Sequence, residues 1–468
     1  MKFSLLPVIA VLLSLAASRA AAAPLALCPD NPHYFLFREK PTVLITSAEH
    51  YGAVLNLDFD YLKYLDTLAA DGLNLTRTFS GSYIEPQGAF NIADNTLAPK
   101  PGRFIAPWAR SDQPGNASGG NKFDLGKWDP AYFSRLKDFV AQAGKRGIIV
   151  ELALFCPMYE DMQWKLSPMN ATNNVSGAGN IGRNDVHTLD RNGGLLAVQE
   201  ALVRKIVAEL RDAENLCYEI CNEPYFGGVT MAWQHHIADV ISEAEKGFAH
   251  KHLITQNIAN GSAKIEKPHP AVSVFNFHYA NPPAAVALNY GLNKVIGDNE
   301  TGFKGTADAH YRMEAWEFIL AGGGLYNNLD YSFTAGREDG TFQYPATQPG
   351  GGNPGFRKQM KLLKDFIHGF EFTKMKPTRE AIREPLPKEA RCQVLAEQGR
   401  QYAAYFKGAP KFAFSIELPA GDYRVQWLDV VTGRRADLHL AKHPGGPASF
   451  QIPGEFNECA LKVVIAAK

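Results

Sequence analysis

The sequence predicts an α/β chain: a (β/α)8 barrel followed by a small antiparallel β-sandwich. Three observations carry this expectation. Between residues 42 and 333, strand-like segments occur eight times, each followed by a helix-like segment or a short crossover. No Gly-rich phosphate loop follows the first of them, which disfavours an open doubly wound sheet. From about residue 388 the pattern changes to short strands between Gly/Pro turns. The expected division is a leader at 1–23, a barrel at 24–375 and a sandwich at 388–468, with the polar linker "MKPTREAIREPLPKE" before the last.

The elements follow in order. A short hairpin through "HYFLFREKP" leads into strand one, "TVLITS" (42–47). "DFDYLKYLDTLAADG" has apolar residues at helical spacing and ends in Gly. Strand two is "LNLTRTF" (73–79). "DPAYFSRLKDFVAQAGKRG" opens with Asp-Pro and closes with Gly, as a capped helix does. Strand three is "IIVELALF" (148–155), followed by the helix "LLAVQEALVRKIVAELRDA". Strand four is "LCYEICNEP" and its helix "MAWQHHIADVISEAEKGF". Strands five to eight are "HLITQNI" (252–258), "SVFNFHYA" (273–280), "KVIGDNE" (294–300) and "GLYNNLDYSF" (324–333). The helices "ADAHYRMEAWEFILAGG" and "GFRKQMKLLKDFIHGF" bracket the last. Two long loops, 80–128 and 156–192, carry Tyr83, Trp108, Trp128, Tyr159 and Trp164. Long ordered loops are usually functional, and in a barrel these would wall the C-terminal face.

Composition excludes some classes. Lys+Arg and Asp+Glu are both 48, so no global field collects nucleic acid or anionic lipid. "MKFSLLPVIAVLLSLAASRAAAAP" reads as a signal peptide cleaved between Ala20 and Pro24, giving a secreted or periplasmic protein with no membrane contact after cleavage. Export permits disulfides, and Cys392 and Cys459, near the two ends of the C-terminal segment, are the expected pair. No zinc-type cysteine or histidine spacing is present, and no metal or organic cofactor is implied. Six Asn-x-Ser/Thr sequons occur, including Asn74 inside a strand and Asn299 beside Glu300. Glycans there would be disruptive, so the matches read as chance.

Chemistry gathers at strand ends. Strand four stops at Asn222 and Glu223, with Pro224 ending the ladder and favouring an extended Glu223. Strand seven ends in "GDNETGF", with Asp298, Asn299 and Glu300; strand six ends in Asn276, His278 and Tyr279. A barrel gathers these at one mouth. Glu223 and Glu300, from opposite sides of the ring, would face each other across a bound sugar. Glycosidic cleavage needs such a pair, one carboxyl to protonate the leaving oxygen and one carboxylate at the anomeric carbon. Asp298 is a rival to Glu300 on the same strand. Glu219 reads as a structural ion partner of Arg77.

"NLTRTF" on strand two, "YEICNEP" on strand four, "FHYA" on strand six and "GDNETG" on strand seven occur in the order that resembles the clan-A, cellulase-like, family 5-like retaining glycoside hydrolases. The resemblance spans roughly 33–370. It implies Glu223 as acid/base, Glu300 as nucleophile, Asn222 on the sugar 2-hydroxyl, Arg77 beside the nucleophile, and His278 or Tyr279 on Glu300 or the substrate. It also implies β-glycosides. Two departures matter. His278 and Tyr279 are adjacent where the family has His-x-Tyr, and strand eight lacks the family's Trp, leaving Asp330 or Tyr331 in its place. Trp164, with Asn276, completes the expected carbohydrate-binding set. The alternatives are a non-catalytic carbohydrate-binding or adhesion protein, and a transglycosylase using the same residues.

Overall fold

The computed structural model describes residues 23–466, so the expected signal segment lies, except for its last residue, outside the described residues. Eight parallel strands form one sheet: β1 (Leu44–Ala48), β2 (Leu75–Phe79), β3 (Ile149–Phe155), β4 (Leu216–Cys221), β5 (Leu253–Asn260), β6 (Val272–His278), β7 (Val295–Thr301) and β8 (Leu325–Leu329). Hydrogen-bonded neighbours run β1-β8-β7-β6-β5-β4-β3-β2. The sheet curls until β1 and β2 lie side by side. No ladder joins these two. Asn74 closes the seam instead: its amide nitrogen donates to the Val43 carbonyl (3.0 Å) and its Oδ1 accepts from Ile45 N–H (2.9 Å). A side-chain amide thus replaces a missing pair of backbone partners.

Period-two alternation stacks the interior in layers. The lowest is apolar and takes one residue from each strand: Leu44, Leu75, Ile149, Cys217, Leu253, Val274, Val295 and Leu325. Leu25, Phe35 and Phe37 plug it from below. They belong to the N-terminal segment, whose strands Ala26–Leu27, Phe35–Phe37 and Lys40–Thr42 form a small antiparallel sheet. Two residues further along each strand the layer turns polar and includes Arg77, Glu151, Glu219, Thr255 and Asn276, all buried. Gly297 occupies the β7 position because a Cβ there would stand 2.3 Å from Asn276 Oδ1. The barrel is therefore sealed at one end and polar toward the other.

Helices Tyr61–Ala70, Pro130–Lys145, Leu195–Glu209, Met231–Ala244, Asp308–Leu320 and Pro354–His368 surround the sheet. Asp60, Asp129, Thr230 and Asn353 cap four of them through their side chains, and Pro follows the cap in two. β5 and β6 are joined without a helix, and the sixth crossover holds only the short helix Ala284–Asn289. The expected long loop after β2 contains a hairpin, Trp108–Pro114 with Asn121–Trp128. Its polar strands lack the apolar alternation that marks a half-buried strand.

The C-terminal segment is antiparallel throughout. Strands Lys376–Pro377, Arg391–Glu397, Gln401–Lys407, Glu458–Ile465, Gly421–Asp429 and Arg435–His443 form one sheet in that order, and Ala413–Leu418 pairs with Gly446–Gln451. Leu395, Ala403, Tyr405, Leu428 and Ala460 join the barrel's apolar core, while Val394, Ala404, Phe406, Trp427 and Leu461 pack in a second core on the other face. Arg312 on the helix Asp308–Leu320 grips both oxygens of Glu458 (2.9 and 2.6 Å), and Trp316 stacks on Tyr405.

The expected Cys392–Cys459 disulfide is absent, and the six cysteines are free. Cys392 and Cys459 share one row of the sheet, but Phe406 stands between them on the intervening strand. Two strand spacings is roughly 9.6 Å, beyond the reach of a disulfide, about 7 Å between Cα atoms.

Asn74→Ala leaves a backbone N–H and C=O unpaired at the seam. It is expected to cost about 2 kcal/mol in urea denaturation. An unchanged midpoint in Asn74→Ala would mean that the seam does not depend on this amide.

Candidate active site

β4 delivers two polar residues in succession at the open end. Asn222 N–H still bonds the Phe155 carbonyl (2.9 Å), and the chain then turns at Glu223. Glu223 has φ of +34°, not the extended backbone expected before Pro224. Its carbonyl accepts from Phe226 N–H (3.0 Å), so a tight turn overrides the preference of the pre-proline residue. Side chains rarely adopt this region, and the strain persists because Glu223 is tied at three points. Tyr159 OH donates to Oε2 (2.6 Å), Tyr225 OH donates to Oε1 (3.1 Å), and His278 Nδ1 lies 3.1 Å from Oε1.

Glu300 comes from β7 on the facing side. Tyr279 OH donates to its Oε1 (2.7 Å), while Tyr51 OH (2.9 Å) and Arg77 Nη1 (3.1 Å) donate to Oε2. His278 Nδ1 is also 3.5 Å from Glu300 Oε1. One oxygen of Glu223, one of Glu300 and a His278 ring nitrogen all lie within 4.8 Å of one another. The glutamates are 7% and 6% exposed, so the pair is nearly withdrawn from water.

Arg77 organises the ground beneath them. It is fully buried and forks to both oxygens of Glu219, to Asn222 Oδ1 (2.6 Å) and to Glu300. Glu151 lies 3.9 Å from the same guanidinium and accepts from Thr255, Asn276 and Asn299. Burial, then the neighbouring Glu219, pushes the Glu151 carboxyl up to about 7. At Glu223, burial would also raise the carboxyl. The His278 hydrogen bond and charge, with the two phenols, outweigh burial and hold it below its ordinary range. For His278, burial favours the neutral ring, but the Glu300 and Glu223 carboxylates prevail and raise it. The proton between Glu223 and His278 therefore rests on the ring.

Above the pair opens a cavity of about 620 Å³, lined among others by Tyr51, Asn222, Glu223, Tyr279 and Glu300. Phe90, Phe226 and Phe303 add half-exposed rings around Tyr159 and the mouth. Left-handed backbone recurs in this lining at Tyr51, Phe90, Glu223, Tyr279 and Phe303. Such strain clusters where side chains are aimed for function.

Three solved structures share this architecture. A candidate glycoside hydrolase of Bacteroides vulgatus aligns over 95% of this chain and 83% of its own, with a TM-score of 0.69 and 13% identity. A second glycoside hydrolase aligns over 96% and 98%, with a TM-score of 0.65 and 14% identity. A family 5 glycoside hydrolase of Bacteroides vulgatus aligns over 95% and 94%, with a TM-score of 0.64 and 14% identity. No family model matches the chain, and no curated protein matches it in sequence. The likeness is one of fold: a (β/α)8 barrel followed by an antiparallel β segment.

In this barrel, Asn222, Glu223, Tyr279 and Glu300 line the cavity, and His278 and Arg77 lie beneath it. The adjacency of His278 and Tyr279 is resolved by the positive φ of Tyr279 (+53°), which lets both reach the carboxylates. Four expected binding residues lie elsewhere. Asn276 sits one layer lower and donates to Glu151 (2.7 Å). Asp330 is the buried partner of Arg357 (2.8 Å) and of Ser47. Tyr331 packs behind the wall, against Phe303 and His50. Trp164 donates to the Ile181 carbonyl (2.9 Å) and is core. Of the other loop aromatics, Tyr159 lines the cavity, while Tyr83, Trp108 and Trp128 do not.

Asp298 is removed as a rival. Register shifts on both sides of β7 break the alternation around it. Glu300 turns to the mouth, whereas Asp298 accepts from Ala280 N–H and is driven well up by burial and then by Glu314. Sequence reasoning missed Tyr51, His50, Glu85 and the three phenylalanines. Glu49, His50 and Tyr51 follow β1 directly, so the strand-end rule applied to β4, β6 and β7 would have found them.

The Glu223, His278 and Glu300 atoms are near enough to share a metal ion. The donor set argues against one. Arg77 places a fixed positive charge 3.1 Å from Glu300, and phenolic O–H groups already occupy both carboxylates.

Outside the cavity, burial first, then Glu317, pushes the Glu314 carboxyl up to about 8. The folded chain keeps this proton after the unfolded chain has released it near 4.5, so stability falls from about pH 4.5 to about 8 and then levels. Glu314→Gln is expected to gain about 4 kcal/mol over the native chain at pH 8 and little at pH 4.5, read by urea denaturation across that range. Parallel pH curves for the two proteins would show that Glu314 is ionised in the fold.

Proposed function

We propose that this chain is a retaining glycoside hydrolase acting on β-glycosides of an oligosaccharide or polysaccharide. The single observation that carries the reading is the pair of buried carboxylates from β4 and β7, with oxygens within 4.8 Å across one cavity. Inversion needs roughly 6.5–9.5 Å between carboxyl groups to admit a water, whereas direct attack uses about 5–5.5 Å. The close spacing supports direct attack.

Glu300, oriented by Arg77, Tyr51 and Tyr279, attacks the anomeric carbon as the bond to the departing oxygen breaks. The departing oxygen takes its proton from Glu223, which is charged by His278 Nδ1 across 3.1 Å. Glu223 is then a carboxylate beside a neutral ring. It accepts a proton from the water that attacks the glycosyl–Glu300 ester, releasing the sugar and returning the shared proton to the pair. Asn222, held by Arg77 and by Tyr159 OH (2.7 Å to Nδ2), is assigned in this reading to the sugar 2-hydroxyl. The half-exposed phenylalanines offer apolar faces to sugar C–H surfaces. The reading includes export, on the strength of the N-terminal apolar segment.

Glu223→Gln and Glu300→Gln are each expected to lower kcat/KM on the best substrate of a 4-nitrophenyl glycoside panel by about 10³-fold or more. The first-formed anomer, read by proton NMR, is expected to keep the substrate's configuration. Azide added to Glu223→Ala is expected to restore turnover and give a glycosyl azide. Full activity in both glutamine variants would sink the assignment, and an inverted product would sink the double displacement. Binding of sugars without turnover would favour the adhesion reading, and a dominant disaccharide product the transglycosylase.

A further inference from the structure

A second pair of buried ionisable side chains faces the same cavity, and the mechanism above does not use it. His50 follows β1 and Glu85 lies in the loop after β2; both line the cavity, at 8% and 5% exposure. Glu85 is fixed from behind. Tyr83 OH donates to Oε1 (3.1 Å), Asn95 Nδ2 donates to Oε2, and its own N–H bonds the Leu97 carbonyl (2.9 Å). Thr96 Oγ1 donates to the His50 carbonyl (2.7 Å), so the two segments hold each other.

His50 is not satisfied. Neither ring nitrogen has a hydrogen-bond partner, and Nε2 stops 3.5 Å from Glu85 Oε2. A purely structural pair in a buried site would close this gap, because an unmet buried donor costs about 1–3 kcal/mol. Unmet polar atoms beside a cavity of about 620 Å³ describe a surface awaiting hydroxyl groups. Position says which ones. His50 precedes Tyr51, whose hydroxyl holds Glu300, while Glu223 is held by Tyr159 and Tyr225 from other loops. The side of the cavity beside Glu300 receives the sugar that becomes bonded to it.

We infer that His50 and Glu85 form a clamp for adjacent hydroxyls of the sugar unit attacked by Glu300, the imidazole donating to one and the carboxylate accepting from its neighbour. The ligand class is a pyranoside with a free vicinal diol on the glycone. This rests on the hydrolase reading for its orientation but on separate residues.

The test uses the full chain, the best 4-nitrophenyl glycoside of the panel and its monodeoxy analogues. Glu85→Gln and His50→Gln are expected to lower kcat/KM on the parent about 10–100-fold. On the analogue lacking the clamped hydroxyl, variant and native rates are expected to converge. Equal losses on every analogue would mark a structural role and overturn the clamp, as would unchanged rates on the parent. A thermal-melt comparison identifies a variant that fails to fold, in which case the other variant carries the test. A separate arm reads saturation-transfer NMR with free glucose, mannose, galactose and xylose. Signal lost in His50→Gln supports the clamp; signal retained, or none with the native chain, overturns it. Absence of turnover with intact, clamp-dependent binding would sink the hydrolase reading alone.

Discussion

One guanidinium underlies this site. Arg77 is buried in the barrel with Glu219, Glu300 and Glu151 around it, each within 4.0 Å. Three carboxyl groups and one cation cannot all be charged without large cost in a medium that solvates poorly. The arrangement answers with a graded distribution. Glu219 takes the fork of Arg77, Glu300 takes its remaining arm, and Glu151 accepts only neutral donors while its carboxyl rises to about 7. Removing one partner from such a cluster typically costs 3–5 kcal/mol, because the others are left uncompensated. The same cation that steadies the barrel interior therefore orients Glu300. Stability and reactivity here share one residue.

The sealed floor explains why this cluster belongs to the mouth. Eight apolar residues, one per strand, close the barrel below Arg77, with Phe35 and Phe37 beneath them. Water has no route upward, so polar groups in the next layer satisfy one another or the cavity above. That forces the orientation of Asn222, whose Oδ1 meets Arg77 while its amide nitrogen reaches Tyr159 OH. It also makes Asn276 and Asn299 interior struts: both amides donate to Glu151, and Asn299 also donates to Glu219. Asn74 and Asn299, two of the sequons, are each committed to internal bonds, which fits their reading as chance matches.

Much of this was legible beforehand, for identifiable reasons. The barrel strands are runs rich in apolar, strand-forming residues bounded by turn residues, and the helices carry caps, so local rules locate them. Glu223 and Glu300 were visible because a buried strand has no packing use for acids at its end. The failures are equally physical. Asp330 and Tyr331 sit at a strand end like the others, yet Arg357, from the last barrel helix, captures Asp330; a partner distant in sequence cannot be read from periodicity. Strict alternation would put Asp298 on the face of Glu300, but register shifts on β7 undo it, and nothing in "GDNETG" marks them. Tyr51 and Phe303 owe their positions to left-handed backbone, a property that non-glycine residues do not advertise.

The polar interior also reaches the proposed acid/base. Asn299 must present its amide nitrogen to Glu151 and Glu219, since carboxylates only accept, and its Oδ1 then faces Asn257 Nδ2 (3.3 Å). The same Asn257 nitrogen meets His278 Nε2, so that ring atom accepts and the proton lies on Nδ1, toward Glu223. In the charged ring Nε2 carries a proton too, and Asn257 must offer Oδ1, an atom that has no donor in the present arrangement. Asn257 can thus serve both states of Nε2, offering Nδ2 when that nitrogen is bare and Oδ1 when it carries a proton. The turn gives up the contact with Asn299, which tilts the balance back toward the neutral ring. The carboxylates pull the proton onto His278 and the amide chain resists. Only the charged ring can lend its Nδ1 proton to Glu223; the neutral ring it leaves keeps a proton on Nε2, against Asn257 Oδ1, until Glu223 hands the proton back.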